Sequence, residues 1–346
     1  FASKRTLRKE NYINSDRTPT LLSYKVNNYY YLLAKPIFNF QMPLRWGIVT
    51  AGKISHDFVN AFNSYPDKGD QVIVAVAARD KTRAEEFAKT HNIGKIFDNY
   101  EKLAKNVAYI GALNPNHYEL SKLFLESGKH VLCEKPLCLN YKQAQSLITI
   151  ARTKKLFLME AVWSRFSPAY IALEEEIKAG KLGDVQFQYQ NILPVCSGKK
   201  EMGGSVILDT GVYTLQLAQY IFKEEPTNVT AVGELNENGV DIVDTVILEY
   251  KGGRRAVLNA HAKVKLWNKA TVVGTADKLL LLCLIIIFYY ISTTYTTTIP
   301  LKQPIISGLI ESPRMSHQES LILAKLEDTV RQQVGVHFNE DDQEFP

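Results

Sequence analysis

Between residues 44 and 159 the chain repeats one pattern, a short apolar run followed by a turn and a segment of helical character. The run at 71–77 (QVIVAVA) is nearly continuous, which is typical of a strand buried on both faces of a parallel sheet. The pattern predicts strands at 44–50, 71–77, 107–111, 130–133 and 156–159, separated by helices at 55–64, 80–91, 115–127 and 141–153. Strands and helices that alternate at this spacing predict a doubly wound parallel α/β sheet.

In the second half of the chain, strands follow one another directly. They are predicted at 185–191, 228–234, 243–250, 254–263 and 269–273, with a hairpin turn at 251–253. A capping box at Ser316 and Glu319 predicts a C-terminal helix. The 346 residues are enough for two domains. The predicted fold is an N-terminal Rossmann-type α/β domain at 42–160 and a C-terminal α+β domain at 161–346 with an open, mainly antiparallel sheet.

Two segments depart from these patterns. Residues 1–41 lack sustained periodicity and precede Met42, so we expect them to be a disordered extension or a gene-model artefact. Residues 279–307 are atypical, because they begin with thirteen mostly Leu and Ile residues and continue with a Thr-rich stretch. The apolar part is shorter than the roughly 20 residues of a membrane span. This segment has two interpretations. It is either the result of a spurious or missing exon or a membrane anchor.

Charge and cysteine content limit the partners. The net charge of +5 comes largely from the first 45 residues, so the rest of the chain has no basic stripe for a nucleic acid. The four cysteines form no CxxC pair and no zinc-ligand spacing, which indicates free thiols, no metal centre and a reducing compartment. We expect a cytoplasmic protein with a small-molecule substrate and no membrane partner.

The turn after the first predicted strand is a candidate cofactor site. Residues 50–55 (TAGKIS) stand where the G-x-G-x-x-G fingerprint occurs in dinucleotide-binding domains, and Gly52 matches its central glycine. A glycine there lets a pyrophosphate approach the backbone at a helix start. One glycine is weak evidence, since an ordinary βα turn has the same composition.

Arg79 and Arg83 follow the second predicted strand. NAD-specific sites place an acid there for the ribose 2′-hydroxyl, whereas arginines suit a 2′-phosphate. The pair therefore favours NADP(H), the alternative being a solvated helix start.

The strand predicted at 130–133 runs into Glu134, Lys135 and Pro136. Proline ends strand pairing, and open α/β sheets bind ligands at the carboxyl ends of their strands. Lys135 is therefore a candidate site residue, although this stretch alone favours a lysine that extends to solvent.

A second candidate group lies in the C-terminal half. Asp209 and Tyr213 are four residues apart, so on an α-helix they share one face as an acid/base pair. A capped helix with a core tyrosine is the alternative. Trp163 is a candidate pocket wall, although such a tryptophan is more often part of a core or a domain interface.

Taken together, these stretches resemble the glucose–fructose oxidoreductase/inositol dehydrogenase family over about residues 43–278 and 308–338. The resemblance is carried by LRWGIVTAGKIS at 44–55, AARD at 77–80, EKP at 134–136, LMEAVWSRF at 158–166, GG at 203–204 and DTGVY at 209–213. It implies a C-terminal domain whose open sheet faces the substrate and forms a homodimer interface.

For the cofactor, the resemblance implies NADP(H), with Arg79 and Arg83 at the 2′-phosphate. The other positions that it places beside the cofactor are Thr50, Gly52, Lys53, Ile54, Asn114, His117, Glu134 and Lys135. It also implies a cis bond between Lys135 and Pro136.

For the reaction, the resemblance implies hydride transfer to NADP⁺ from a cyclic trans-dihydrodiol or from an aldose such as D-xylose. Tyr213 would be the general acid/base, Asp209 would orient the substrate and Trp163 would line its pocket. A free phenol has a pKa near 10, and we expect the Lys135 ammonium to lower it so that Tyr213 accepts the alcohol proton.

The chain also departs from that family. It is a few residues shorter between Asp184 and Gly203 and near Asn106, and 279–307 does not resemble the family. A catalytically impaired NADP-binding homologue is therefore the alternative function.

Overall fold

A computed structural model of the protein describes residues 43–65, 68–103, 107–192, 198–282 and 302–346. The predictions for residues 1–41 and for Met42 lie outside these ranges, as does the greater part of the atypical segment at 279–307.

The first sheet is entirely parallel, with strand order β3-β2-β1-β4-β5-β6. Its strands are β1 Arg45–Val49, β2 Val72–Ala77, β3 Lys95–Phe97, β4 Val107–Ile110, β5 His130–Cys133 and β6 Leu158–Glu160. The helices that alternate with them are α1 Lys53–Ser64, α2 Lys81–His91, α3 His117–Glu126 and α4 Tyr141–Lys154. The predicted doubly wound sheet is confirmed. The strand order reverses between β1 and β4, which opens a crevice at their carboxyl ends.

The second sheet is mixed, with strand order β12-β11-β7-β10-β9-β8. Its strands are β7 Val185–Ile192, β8 Asn228–Leu235, β9 Asp241–Glu249, β10 Arg255–His261, β11 Lys269–Gly274 and β12 Lys278–Leu282. The pair β7–β10 is parallel and the other described pairs are antiparallel. The predicted open, mainly antiparallel sheet is confirmed, and the Leu-rich segment enters it as β12.

The described part of the second half contains four further α-helices: α5 Pro168–Lys178, α6 Val212–Phe222, α7 Lys302–Ile306 and α8 His317–Val334. The predicted capping box is present at the start of α8, where Ser316 and Glu319 bond each other's backbone N–H groups. Helix α8 packs against both α4 and β8, so the C-terminal helix contacts both halves of the molecule.

The main hydrophobic core is continuous across the two sheets. One cluster of buried side chains includes Ile48 and Met159 from the first sheet and Leu215 and Val272 from the second half. The two halves are therefore held together by apolar packing, which fixes the carboxyl edge of the first sheet against α6. Within the described ranges, no helix is both long enough and apolar enough to cross a membrane.

Candidate active site

A cleft of about 600 Å³ opens at the carboxyl ends of β1, β2 and β4. Six residues predicted from the sequence to bind a cofactor line this cleft: Thr50, Gly52, Lys53, Ile54, Arg79 and Arg83. The structure thus brings together residues from two separate turns, as the topology of a doubly wound sheet requires.

The turn after β1 keeps the fingerprint conformation without its first glycine. Thr50 has a φ of 77°, an uncommon value for a β-branched residue. Its Oγ1 donates to the Gly111 carbonyl at 2.6 Å, and its N–H donates to the Ala77 carbonyl at 2.8 Å. These two hydrogen bonds hold Thr50 in this conformation. Gly111 was missed in the sequence analysis. A Cβ on it would lie 2.4 Å from Ser55 Oγ, so only glycine lets β4 approach α1 this closely.

The start of α1 suits an anionic group. Gly52 is the N-cap and offers no side-chain acceptor, and the first turn holds no acidic residue. The free N–H groups of a helix start and the positive end of its dipole favour a phosphate. Together with the cleft volume, this donor set fits the pyrophosphate of a dinucleotide.

The two arginines line the same cleft at the end of β2 and the start of α2. Asp80 caps α2 by accepting from the Arg83 N–H at 3.1 Å. Arg83 Nη2 donates to the Ala51 carbonyl at 3.3 Å, so its guanidinium lies against the turn that carries Gly52. Arg79 is exposed in the cleft beside it.

Lys135 reaches from the first sheet to the second half. The Lys135–Pro136 bond is cis, as predicted. Lys135 Nζ donates to the Asp209 backbone carbonyl at 2.5 Å and lies 5.4 Å from the centre of the Tyr213 ring. The three predicted catalytic residues are therefore brought together, although Lys135 and Asp209 are 74 positions apart in the chain.

Asp209 lies on a π-helical turn, Ile207–Gly211, that leads directly into α6. The prediction that Asp209 and Tyr213 share one face of an α-helix is therefore wrong, since a π turn is wider than an α turn. Asn114 Nδ2 donates to Asp209 Oδ1 and to the Gly203 carbonyl, both at 3.0 Å. Asn114, predicted as a cofactor neighbour, thus ties the first domain to the loop and turn that carry Asp209.

Tyr213 and Trp163 form a direct pair. Trp163 Nε1 donates to the Tyr213 hydroxyl at 2.7 Å, and the ring centres are 5.6 Å apart. Burial, and next the charge of Glu134, raise the pKa of Tyr213 well above its ordinary value of 10. The expected lowering of this pKa by Lys135 is therefore wrong, because the ammonium bonds a backbone carbonyl and lies over the ring instead of at the phenol oxygen.

His117 was predicted to lie beside the cofactor, but the structure places it elsewhere. Its side chain is 0% exposed, and its Nδ1 and Nε2 lie 2.7 and 3.0 Å from the carbonyls of Pro136 and Ala112. Burial lowers the pKa of this imidazole. It supports the Lys135 loop from inside and does not reach the cleft.

Glu134, which was also predicted to lie beside the cofactor, points into the protein interior. The Tyr109 hydroxyl donates to its carboxylate at 2.8 Å in a buried position. Burial raises the pKa of Glu134, while the Tyr109 hydrogen bond and Lys135 act in the opposite direction. Glu134 therefore lies beneath Lys135, as part of the support of the site.

Two buried residues behind Trp163 were not predicted. Arg165, 1% exposed, donates from Nε to Gln216 Oε1 at 2.8 Å and also pairs with Glu319. Gln216 in turn donates to Ser164 Oγ at 3.1 Å. This network fixes the Trp163 turn on α6. The sequence signal, an arginine in an aromatic-rich segment, does not distinguish a buried arginine from an exposed one. Within the described residues no cluster of side chains suits a metal ion.

Two family models match the chain. The model for an oxidoreductase family with an NAD-binding Rossmann fold matches residues 44–162. The model for the GFO/IDH/MocA C-terminal domain matches residues 170–280.

Curated relatives match over most of the chain. The trans-1,2-dihydrobenzene-1,2-diol dehydrogenase of Danio rerio is 36% identical over 335 residues, which cover 87% of this chain and 100% of the relative. The enzyme of the same name from Xenopus tropicalis is 38% identical over 86% of this chain and 100% of the relative. The one from Homo sapiens is 35% identical over 87% and 99%.

Solved structures share the fold at low identity. The myo-inositol 2-dehydrogenase of Lactobacillus plantarum has a TM-score of 0.74 at 15% identity, covering 85% of this chain and 98% of that one. A 3-ketoreductase from Actinomadura kijaniata, in complex with NADP and TDP-benzene, has a TM-score of 0.72 at 21% identity, covering 85% and 98%. By its matches to both domains and to full-length relatives, the chain belongs to the GFO/IDH/MocA family of NAD(P)-binding oxidoreductases.

Proposed function

We propose that the protein is an NADP-dependent oxidoreductase that exchanges hydride with a secondary alcohol of a cyclic trans-dihydrodiol or with an aldose of the D-xylose type. The proposal is based on one observation, that Lys135, Asp209 and Tyr213 lie close together beside the proposed dinucleotide cleft. The names of the relatives, trans-1,2-dihydrobenzene-1,2-diol dehydrogenases, support the substrate class.

Tyr213 is the group to which we assign proton transfer. Its oxygen accepts from Trp163 Nε1, so its own hydrogen is directed to another acceptor such as a substrate oxygen. Because its pKa is raised, the phenol is neutral at pH 7 and donates to a carbonyl in the reductive direction. The Lys135 ammonium lies over the ring, 5.4 Å from its centre, and is assigned to positioning Tyr213 and Asp209 and not to lowering the pKa of the phenol. When bound, the nicotinamide supplies the hydride chemistry.

Asp209 and the cofactor turn complete the assignment. The Asp209 carboxylate, held by Asn114, is the acceptor for a substrate hydroxyl. Thr50, Gly52, Lys53 and Ile54 would hold the dinucleotide at the start of α1. In this assignment residues 42–160 bind the cofactor, and 161–346 bind the substrate and form the dimer.

NADP is preferred over NAD in this proposal because Arg79 and Arg83 line the cleft while Asp80 is engaged as the cap of α2. The test is the initial rate of NADP⁺ reduction with trans-1,2-dihydrobenzene-1,2-diol and with D-xylose, compared with NAD⁺. We expect a higher kcat/KM with NADP⁺. A preference for NAD⁺ would contradict the assignment of the arginines.

Replacing Tyr213 tests the chemistry directly. Loss of a positioned acid/base costs about 10²- to 10⁴-fold in rate, so Tyr213→Phe should lose kcat by that factor and still bind NADPH. Tyr220→Phe is the matched control, since Tyr220 lies on the same helix and its hydroxyl bonds Tyr170 and Glu174 away from the site. Full turnover by Tyr213→Phe would exclude Tyr213 as the proton donor.

The alternative is an NADP-binding homologue that no longer turns over substrate. The cavity beside Tyr213, bordered by Trp163 and Asn268, measures about 10 Å³, room for about one water molecule. NADPH binding without turnover of either substrate would favour this alternative.

We propose a cytoplasmic homodimer that associates through the second sheet. Exposed apolar side chains in this half, among them Val232, Val264 and Trp267, support such an interface. Light scattering of the purified protein should give the mass of a dimer, and a monomeric mass at micromolar concentration would contradict it.

A further inference from the structure

The small cavity beside Tyr213 is lined by both aromatic and amide side chains. The aromatic ones are Trp163 and Tyr213, and the amides are Gln190, Asn191 and Asn268. Its volume of about 10 Å³ is room for one water molecule or one hydroxyl group. The cavity is therefore too small for the ring of a substrate and fits a single polar substituent of that ring.

The amide of Gln190 comes from a buried face of β7. Every second residue of this strand is buried from Gln188 onward, so Gln188, Gln190 and Ile192 share one face of the sheet. Ile192 belongs to an apolar cluster against which Tyr213 packs, so this is the face that meets Tyr213. Gln190 is 3% exposed, which makes it a buried polar group next to the proposed acid/base.

Gln188 and Gln190 satisfy each other only in part. Gln188 Nε2 donates to Gln190 Oε1 at 3.0 Å. In the described part of the chain, Gln188 Oε1 has no donor and Gln190 Nε2 has no acceptor. Turning both amides over exchanges donor and acceptor and still leaves one amide atom of Gln190 unpaired. Since Gln190 lines the cavity and Gln188 does not, a group bound in the cavity can pair with the unused atom of Gln190.

Two neighbouring polar groups of the cavity lining are already engaged. Ser164 Oγ accepts from Gln216 Nε2 at 3.1 Å. Asn191 Oδ1 accepts from Asn259 Nδ2, also at 3.1 Å. Gln190 differs from both in having an unused amide atom, and a buried amide without its partner is costly. A ligand hydroxyl suits this position because it is both a donor and an acceptor.

The number of hydroxyl positions bears on the substrate class. In the proposed function, Tyr213 acts on the reacting oxygen and Asp209 accepts from a second hydroxyl. A cyclic trans-dihydrodiol has two hydroxyl groups, so these two positions account for both. A hydroxyl at Gln190 would be a third, which an aldose has and a dihydrodiol lacks.

We propose that Gln190 is a specificity-determining residue that binds a third hydroxyl of the substrate and so selects an aldose over a cyclic dihydrodiol. This inference rests on the proposed function, since it takes the reacting oxygen to lie at Tyr213. It gives β7 a role in substrate recognition that neither the sequence analysis nor the comparisons with relatives assign.

The test compares kcat/KM for D-xylose with kcat/KM for trans-1,2-dihydrobenzene-1,2-diol, both with NADP⁺ and the full-length protein. Gln190→Met removes the amide and keeps the length of the side chain. One hydrogen bond to a substrate hydroxyl corresponds to about tenfold, so the ratio of D-xylose to dihydrodiol efficiency should fall by that factor. Gln186→Met should keep the wild-type ratio. It is the matched control, because Gln186 lies on the same strand, bonds the Asp184 carbonyl and does not line the cavity.

A double variant separates recognition from folding. Gln190→Met leaves Gln188 Nε2 without its acceptor, whereas Gln188→Met together with Gln190→Met removes both partners of the buried hydrogen bond, which is nearly neutral. Far-UV circular dichroism checks that each variant is folded. The double variant should show the same fall in the ratio, and a wild-type ratio in it would overturn the assignment of Gln190.

Deoxy analogues of D-xylose, each lacking one hydroxyl, identify the contact. A site that bonds a substrate hydroxyl discriminates against the analogue without it. The wild type should therefore use one analogue about tenfold less efficiently than D-xylose, and Gln190→Met should use the two equally well. A merely structural role of Gln190 would leave that discrimination intact, and this result would contradict the proposal.

The outcomes distinguish this inference from the proposed function. If Gln190→Met lowers the efficiency with both substrates equally, or with neither, Gln190 does not select the substrate. If the wild type turns over the dihydrodiol and not D-xylose, the inference is overturned while the proposed function stands. If it turns over neither, both are overturned.

Discussion

Thr50 and Glu160 show how single residues maintain the site. Thr50 takes the place of a fingerprint glycine and keeps a left-handed φ through its bond to Gly111. Glu160, 2% exposed, accepts from the Leu137 N–H at 3.0 Å and from Ser320 Oγ at 2.7 Å. It joins the loop after Lys135 to α8, so its charge state acts on the site and on the domain contact together.

Glu160→Gln should remove a pH-dependent part of the free energy of unfolding. Burial raises the pKa of Glu160 from 4.5 to about 7. Because the folded-state pKa is raised, its stabilising contribution is complete below about 4.5 and is lost as the pH rises through about 7. The wild type should lose ~2–3 kcal/mol between pH 4.5 and 8.5 from this group, and the glutamine variant should not.

Urea unfolding at several pH values in this range measures the difference. The amide keeps an acceptor for Leu137, so the variant should fold. The same pH dependence in both proteins would show that Glu160 does not ionise in this range.

At the scale of elements, the π turn at Ile207–Gly211 is held by a pair of buried acids. Asp241 Oδ2 accepts from the Ile207 N–H at 3.0 Å. Asp244 lies beside Asp241, and in the described residues neither of its oxygens has a donor. Burial, and next the Asp241 charge, raise the pKa of Asp244 to about 10. One shared proton then satisfies the pair at neutral pH.

Two substitutions separate the roles of these acids. Asp244→Asn replaces a neutral carboxylic acid by an isosteric amide that needs no added proton, so the variant should be at least as stable as the wild type at pH 7. Because the pKa of Asp244 is raised from 3.8 to about 10, the wild type should lose stability progressively between these two pH values, and this variant should not. Asp241→Ala leaves the Ile207 N–H unpaired and should cost about 1–3 kcal/mol at pH 7.

Chemical denaturation at pH 7 and pH 10 distinguishes the two variants. Equal losses from both at pH 7 would show that Asp244 is charged there and would refute the shared proton.

Across the whole molecule, α8 and the continuous core join the two sheets. Helix α8 contacts α4 and β8, and Arg165 links its first turn through Glu319 to Gln216 on α6. The site lies between the two halves, so any change in how they pack moves Lys135 relative to Asp209. We expect the molecule to unfold as one unit.

Ser316→Ala tests this cooperativity. Loss of an N-cap costs about 1 kcal/mol, and because α8 touches both halves, the whole thermal transition should shift down by about 2–4 °C. Thr329→Ala, which removes an exposed hydroxyl from the same helix, is the control. Two separate transitions by circular dichroism and tryptophan fluorescence would contradict a single unit.

Much of the fold was predictable because its signals are local. The apolar runs, the Ser316 cap and the strand end before Pro136 each depend on only a few neighbouring residues, and each appears in the structure. Strands β3 and β12 were missed, because one has three residues and the other lies in a Leu-rich run without a clear period. Strand-end position and helical spacing singled out Lys135, Asp209 and Tyr213 as candidates, and the family resemblance added their proposed roles.

By itself, the sequence determined the order of the two sheets, the parallel first sheet, the strand–turn–helix at Gly52 and the family. Only the tertiary structure decided the chemistry of the site. In the folded protein His117 and Glu134 are buried beneath the cleft, and Lys135 donates to the Asp209 carbonyl. The pKa of Tyr213 is raised and not lowered. The physical reason is that burial and charge at one atom depend on residues distant in the chain, whose positions follow from packing and not from local pattern.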